Sequence, residues 1–176
     1  MPTRVLFFLV LASSAAWPAA AQPGECVEGN CRNGEGTKQY ADGRRYYGEF
    51  RNGRPHGEGR MELPGGNWYD GEFRQGQKAG HGRFHWQRGD TYEGEWAADE
   101  MHGFGKLSGA DGRRYVGPFV HNRMEGRGSF HWPNGEHYGG MFAGNQYHGP
   151  GLYVWPRVDS STSPPDTQQV AFDGRF

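Results

Sequence analysis

Aromatic residues and glycines alternate with polar residues along most of the chain, and the alternation has a period of two. Tyr46, Gly48 and Phe50 form one such run, separated by single polar or charged positions. A period of two places every second side chain on the same face of a β-strand. Since the runs are short and end at glycine-rich segments, the pattern predicts short antiparallel strands joined as hairpins.

The same run returns every 23 residues. The first column of the repeat is Tyr46, Tyr69, Tyr92, Tyr115 and Tyr138. A glycine follows each tyrosine after two residues, and Phe or Trp follows after four. Two more glycine columns are Gly57, Gly80, Gly103, Gly126 and Gly149, and Gly59, Gly82, Gly105, Gly128 and Gly151. A fixed period of this length is typical of a repeat architecture, with one hairpin in each unit.

Glycines mark the turns and also stand inside the predicted strands. Asp42-Gly43 and Asn134-Gly135 have the composition of two-residue hairpin turns with positive φ. Glycine weakens a strand unless something packs closely against its backbone. We therefore expect each tyrosine and its Phe or Trp to lie across the adjacent glycine pair. The predicted fold is all-β, an elongated single-layer antiparallel meander with a ladder of rings as its core.

These patterns divide the chain into ten segments. They are a signal peptide (1–21), a segment with a cysteine pair (22–32), a half repeat (33–45), five repeats (46–68, 69–91, 92–114, 115–137 and 138–155), a polar loop (156–171) and a closing strand (172–176). In the signal peptide Arg4 precedes a short apolar run, and an A-x-A site ends at Ala21. The run is too short to cross a bilayer. We expect cleavage near Ala21 and export, to the periplasm or the medium.

Two cysteines follow this predicted cleavage site. In an oxidising compartment Cys26 and Cys31 can form a disulfide that closes a small loop. A metal site is the alternative, but two thiols without two further ligands do not complete a zinc site. The sequence favours the disulfide.

Composition and charge narrow the choice of function. The chain contains 31 glycines among 176 residues and no isoleucine, so a conventional aliphatic core is excluded. Its 19 Lys and Arg balance 20 Asp and Glu, giving a net charge of −1. A nucleic-acid-binding protein needs a basic excess to neutralise phosphates. We therefore expect no nucleic-acid partner.

The repeat resembles the MORN (membrane occupation and recognition nexus) repeat. The resemblance rests on segments such as 46–59, with Tyr-x-Gly-x-Phe followed by His-Gly-x-Gly, and it covers residues 33–155 and 172–176. It implies an array of β-hairpins that acts as a scaffold or adaptor, often as a homodimer, with phospholipid association proposed for some members. Pro118 and Met141 depart from the pattern, because other repeats carry Glu at that position.

The sequence predicts no catalytic, cofactor or metal site. It lacks a nucleophile elbow, a His-Glu-x-x-His motif and a phosphate-binding loop. His56, His102 and His148 share a column, but they stand two repeats apart, roughly 20 Å on strand spacing. That separation is too large for one zinc ion. We expect a protein without enzymatic activity.

Two binding functions fit these observations. The first is an exported scaffold that binds a protein partner or a second copy of itself. The second is a surface for carbohydrate or phospholipid headgroups, formed by exposed aromatic rings at Trp86, Trp132 and Trp155. These tryptophans share one repeat position, which suits either a ligand platform or the closing of the ring ladder. The sequence favours the scaffold.

Overall fold

The computed structural model describes residues 24–156 and 167–172, and its regular elements are all β-strands. The strands are β1 (Gly24–Gly29), β2 (Gly34–Tyr40), β3 (Arg45–Arg51), β4 (Arg54–Glu62), β5 (Trp68–Arg74), β6 (Gln77–His85), β7 (Thr91–Ala97), β8 (Glu100–Ser108), β9 (Arg114–Val120), β10 (Arg123–Met124), β11 (Gly126–His131), β12 (His137–Ala143), β13 (Gln146–Pro156) and β14 (Thr167–Phe172). Within these two ranges the chain has no helix that could span a membrane.

All fourteen strands belong to one antiparallel sheet, and their order in the sheet is their order in the chain. β10 and β11 both pair with β9, because they are two parts of one position in the sheet interrupted at Glu125. Each hairpin therefore contacts only the hairpins before and after it. The predicted all-β meander of hairpins is confirmed.

The core is a ladder of aromatic rings on one face of the sheet, which we call the ring face. The five tyrosines of the repeat are at most 1% exposed. Tyr46 meets Phe50 of its own strand and Phe73 of the next repeat, each edge-to-face at 5.0 Å between centroids. The same pair of contacts recurs at Tyr69, Tyr92 and Tyr115. Edge-to-face pairs at this distance are a favoured aromatic geometry, so each ring links two neighbouring repeats.

Glycines form a row across the sheet beneath these rings. Gly48 pairs with Gly59, Gly59 with Gly71, and Gly71 with Gly82, and the later repeats continue the row. The Tyr46 ring lies on Gly59 so closely that a Cβ there would overlap the ring and its hydroxyl. The hydroxyl donates to the Glu49 carbonyl at 3.0 Å, which satisfies both buried groups. The glycine row is thus the floor on which the rings lie.

Only one glycine of each predicted pair carries a ring, which corrects our expectation from the sequence. Gly57, Gly80 and Gly103 have φ between +54° and +59°, and a Cβ there would meet the carboxylate of Glu49, Glu72 or Glu95. The physical reason is a bulge. The strand register shifts between Gly48 and Phe50 and at the equivalent positions of later repeats. This bulge turns the first glycine of each pair, such as Gly57, away from the ring face.

The turns at the two edges of the sheet differ. At Asp42-Gly43 the Tyr40 amide donates to the Arg44 carbonyl and the Gly43 amide to the Tyr40 carbonyl, at 2.9 and 3.0 Å. This is a three-residue loop with glycine alone at positive φ, so the predicted two-residue turn is wrong there. Two consecutive positive φ values occur in all five repeats at the other edge, as at Asn52-Gly53 (52° and 75°), and on the first edge at Gly65-Gly66 (80° and 79°).

Both ends of the array differ in detail from the repeat. At the C-terminal end β14 occupies Thr167–Phe172 and pairs with β13, so residues 167–171 of the segment predicted as a loop form a strand instead. The predicted closing strand, 172–176, lies outside the described residues except for its first position. The predicted signal peptide, 1–21, also lies outside them. At the N-terminal end β1 adds a strand before the half repeat.

Candidate binding surface

The face of the sheet opposite the rings is open, and we call it the outer face. Three rows of side chains cross it, because paired strands bring equivalent positions side by side. The middle row runs through Tyr47, Arg60, Asp70, Arg83, Glu93, Lys106, Val116, Ser129, Gly139 and Leu152. From Arg60 to Lys106 this row alternates positive and negative charge, an order that stabilises cross-strand neighbours. After Lys106 it becomes neutral.

A second row lies over the bulges and changes character along the array. It contains Glu49, Glu58, Glu72, His81, Glu95, Phe104, Pro118, Arg127 and Met141. Glu72 accepts a hydrogen bond from the His81 amide, and Glu95 from the Phe104 amide, each at 2.8 Å. These carboxylates cap the backbone next to the positive-φ glycines. Where Pro118 and Met141 replace Glu, the row has no such cap.

The third row carries one carboxylate, Glu62, in its first half and none in its second. It runs through Arg45, Glu62, Trp68, His85, Thr91, Ser108, Arg114, His131, His137 and Val154. In its first half the Arg60 guanidinium, from the middle row, lies 4.4 Å from the centre of the Trp68 ring, and the His85 ring stacks on Trp68. Burial lowers the pKa of His131, and the nearby Arg114 and His137 side chains lower it further.

The outer face of the later repeats is apolar and basic. Phe104 on β8 is 57% exposed and Val120 on the adjacent β9 is 39% exposed, while Leu152, which is 37% exposed, lies on β13, four strand positions from Phe104. Around them Lys106, Arg114, Arg123 and Arg127 are exposed. A cluster of exposed apolar side chains is typical of an interaction site, whereas single ones are ordinary. This half of the outer face is therefore the strongest candidate binding surface in the described part of the chain.

The three predicted tryptophans do not form one exposed platform. Trp86 packs against Phe84 and Trp132 against Phe130, each at 4.6 Å between ring centroids, and both indoles are half-buried at the margin of the core. Trp155 is 39% exposed and meets Tyr153 edge-to-face at 5.0 Å. The structure thus leaves Trp155 as the indole most open to a ligand.

The cysteines named from the sequence are joined in the structure. A disulfide connects Cys26 in β1 to Cys31, with 5.8 Å between the Cα atoms. Cys31 packs against the edge of the core, whereas β1 is exposed along its whole length. The bond therefore ties an exposed edge strand to the first buried part of the array.

The histidines pair without forming a metal centre in the described residues. His131 stacks on His137 at 5.6 Å, and His102 meets His121 at 5.9 Å. The His121 imidazole lies 2.6 Å from the Glu100 carboxylate. Over the ranges 24–156 and 167–172, no group of three or more metal-ligating side chains comes together.

Sequence reasoning missed one residue of the ring face, Lys78. Its ammonium lies 4.4 Å from the centre of the Trp96 ring and 5.0 Å from that of Phe84. Burial lowers the pKa of Lys78 to about 8, and the nearby Asp99 carboxylate opposes that effect. Met101 and Met124 hold the same position in later repeats, so the charge stands where those repeats are apolar. A lysine at a position that is methionine in later repeats was therefore the feature of the sequence that could have identified it.

Comparison with known families is consistent with the hairpin array. The family model described as the MORN repeat matches residues 29–44, 46–68, 69–91, 92–113, 115–137 and 138–157. These six segments cover most of the chain, and their boundaries follow the 23-residue period. No curated protein matches the sequence.

Proposed function

Since the chain belongs to the MORN repeat family, whose repeats generally mediate interactions with proteins or membrane lipids, we propose that it is an exported scaffold without enzymatic activity that binds protein. One observation carries this proposal. Phe104 on β8 and Val120 on the neighbouring strand β9 are both exposed on the outer face of the later repeats, whereas the aromatic rings of the ring face are buried against one another.

The chemistry of this surface favours a protein over other partners. Its apolar side chains stand among arginines and Lys106, the mixture of apolar centre and polar surroundings that protein interfaces show. Arginine is enriched at interfaces and contributes strongly to binding energy. A protein that offers apolar and acidic side chains would complement it.

Binding through the outer face can be tested by capture experiments with the purified protein. We expect Phe104→Asp to lose a partner that the unaltered protein retains, because it places a charge in the apolar centre. Phe104 is exposed, so the substitution should leave the melting temperature nearly unchanged. Val27→Asp is the matched control, since Val27 is 55% exposed but lies on β1, at the opposite end of the array. Equal retention by both variants would contradict the proposal.

Export is the second part of the proposal, and its support is the pattern of residues 1–21 together with a disulfide in the structure. Disulfides persist in oxidising compartments and are rare in the cytosol. Intact-mass analysis of protein from the producing cells should find a chain that starts at Gln22 and is two hydrogens lighter than its reduced form. Recovery of chains that retain Met1 would contradict export.

Carbohydrate or phospholipid headgroup binding is the competing function. The observation in its favour is Trp155, whose exposed ring stands beside Tyr153 near the C-terminal end of the array. Trp86 and Trp132 are packed against the core, so a platform of three indoles would require both to leave their packing partners. For this reason we place the scaffold first.

A further inference from the structure

We propose that Lys78 captures small aromatic aldehydes as an imine, in a cavity beside Trp96 at the edge of the ring face. The site is separate from the outer face, so the inference does not depend on the proposed protein-binding function. It follows from two ionisable residues, Lys78 and Asp99, that stand where later repeats carry uncharged ones, and from the cavity next to Lys78.

Lys78 and Asp99 form a pair whose counterparts in later repeats are uncharged. The Lys78 amide donates to the Asp99 carboxylate at 2.9 Å. In the following repeat the Met101 amide donates in the same way to the Asn122 side chain at 2.9 Å, and the contact recurs one repeat later. Methionine and asparagine therefore supply the backbone contact that the fold needs here. The amine and the carboxylate are additions that the architecture does not require.

The amine of Lys78 stands among aromatic rings. Its Nζ lies 4.4 Å from the centre of the Trp96 ring, 5.0 Å from that of Phe84 and 5.9 Å from that of Tyr69. Burial lowers the pKa of Lys78 to about 8, although the charge of Asp99 acts in the opposite direction. At pH 7 about a tenth of this amine is uncharged, against under about a thousandth for a lysine with the ordinary pKa of ~10.4. The uncharged amine is the nucleophile in Schiff-base formation, and lysines in apolar surroundings are activated for it.

A cavity of about 290 Å³ opens next to this amine. Lys78 and Trp96 line it, together with Arg74, Gln77 and Ala97 among others. Lys78 is half-buried rather than sealed, so a molecule in the cavity reaches its side chain. Pockets for drug-sized ligands begin at about 300 Å³, so this cavity suits a molecule of about one aromatic ring. The Trp96 indole offers such a ring a favourable contact.

Imine formation needs no oxidant, reductant or further reactant. The lone pair of the Lys78 amine attacks the carbonyl carbon, and the carbonyl oxygen takes up a proton to give a carbinolamine. The nitrogen then forms the C=N bond while the hydroxyl leaves with a proton as water. One amine and one aldehyde thus yield one imine and one water.

Asp99 exchanges protons in both steps. Burial raises the pKa of its carboxyl group, which favours a group that holds and releases a proton nearer neutral pH. Its buried Oδ2 makes no hydrogen bond of normal geometry within the described residues, so this oxygen is available to a ligand.

Reductive trapping on the whole protein tests the site. The chain contains three lysines, Lys38, Lys78 and Lys106, so two of them serve as internal controls. The protein is treated at pH 7 with benzaldehyde and cyanoborohydride, which reduces an imine to a stable benzylamine, and the labelled lysines are identified by peptide mass spectrometry. We expect labelling at Lys78 to be at least tenfold faster than at Lys106, and this preference should disappear in concentrated urea. Equal labelling of the three lysines in the folded protein would overturn the proposal.

Asp99→Asn separates proton transfer from electrostatics. Asn122 already makes the same backbone contact, so the melting temperature should stay within a few degrees of that of the unaltered protein. Loss of the Asp99 charge would increase the uncharged fraction of Lys78 and by itself speed its labelling. Loss of the proton donor slows it, and we expect labelling at Lys78 to be at least threefold slower while that at Lys106 is unchanged. An equal or faster rate would overturn the part assigned to Asp99.

Acetaldehyde is the matched probe for the cavity, because it has the same reactive group without a ring. The ratio of labelling at Lys78 to labelling at Lys106 should be at least threefold higher with benzaldehyde than with acetaldehyde. Equal ratios would show a reactive amine without a binding cavity and would overturn the capture of aromatic aldehydes. Phe104→Asp lies on the outer face and should leave labelling at Lys78 unchanged, so this test stays separate from that of protein binding.

Discussion

At the scale of single residues, the fold depends on glycines that allow a ring to lie on the backbone. Gly105 pairs with Gly94 and carries the Tyr92 ring, and the Tyr92 hydroxyl donates to the Glu95 carbonyl at 2.8 Å. Burial raises the pKa of this tyrosine far above its ordinary value, because the anion would lose its hydration. The missing side chain thus makes room for the contact that joins consecutive hairpins.

A valine at Gly105 should therefore be much more damaging than an asparagine at Gly53. Gly105→Val would displace the Tyr92 ring, and overpacking of this kind costs a few kcal/mol. At Gly53 a Cβ would meet nothing within 4 Å, and asparagine tolerates its φ of 75°, so Gly53→Asn should cost under ~1 kcal/mol. Urea unfolding measures both. Equal losses of unfolding free energy would contradict the packing of rings on glycine.

Lys78 gives the protein a stability that depends on pH. Its pKa is about 8 in the folded protein and about 10.5 in the unfolded chain, so the unfolded state binds more protons between these values. Stability from this group therefore rises as pH increases from 8 to 10.5 and is lowest below pH 8. Burial also raises the pKa of Tyr69, and because an unfolded tyrosine ionises near pH 10, this part of the pH dependence is shared by every variant that keeps the tyrosine.

Lys78→Met should remove this dependence. At pH 7 the variant should be more stable by about 1–2 kcal/mol, because the buried ammonium loses hydration that its contacts with Trp96 and Phe84 restore in part. The advantage should shrink toward pH 10. Chemical unfolding of both proteins at pH 7, 8.5 and 10 measures the difference in unfolding free energy. A difference that stays constant across that range would show that the pH dependence does not come from Lys78.

At the scale of the hairpin, the repeat columns allowed the strands to be predicted, whereas the turns and the last strand could not be. The tyrosine and glycine columns mark the paired positions directly. The loop at Asp42-Gly43 is one residue longer than predicted, because its closing pair is Tyr40 and Arg44 and a type I turn needs positive φ at glycine alone. β14, at Thr167–Phe172, has no tyrosine or glycine of the repeat, so no column indicated it.

The binding surface was less predictable than the fold for a related reason. The sequence shows that Pro118 and Met141 lack the glutamate of other repeats, but the consequence depends on strand register. Register places Phe104 opposite Pro118 and Arg127 opposite Met141. Only register shows which side chains these substitutions lie beside. For Trp86 and Trp132 the sequence left a ligand platform and the closing of the ring ladder open, and the structure packs both rings against the core margin.

Two tryptophan substitutions near the C-terminal end of the array distinguish the scaffold function from headgroup or glycan binding. Trp132 packs on Phe130 and lies 5.3 Å from the Tyr153 ring, so Trp132→Ala should cost about 2–4 kcal/mol. Trp155→Ala should cost under ~1 kcal/mol, because the ring is exposed. If headgroups or glycans bind at this end, Trp155→Ala should also abolish the change in fluorescence on titration with vesicles or oligosaccharides. Binding that survives the substitution would exclude Trp155 as the ligand site.

At the scale of the whole molecule, contacts between consecutive strands determine shape and assembly. Thirteen positions in the sheet, at ~4.8 Å each, give an array about 60 Å long. A compact domain of the same chain length would have a radius of gyration of about 16 Å. Repeat arrays of this kind are stabilised by neighbour contacts alone, so nothing draws the ends together.

Solution scattering can therefore test the array and its assembly in one measurement. A monomer should have a maximum dimension of about 60 Å and a radius of gyration clearly above that of a compact domain. Stacking of two outer faces should double the mass while adding only about 10 Å of thickness, the spacing of packed sheets, so the length should stay near 60 Å.

Pairing of edge strands, β1 of one copy with β14 of the next, would instead double the length. Reduction and Cys26→Ser should leave a stacked dimer unchanged, because the disulfide lies at the edge of the sheet. A dimer about 120 Å long would show that the chain assembles through its edges and would exclude the outer face as its interface.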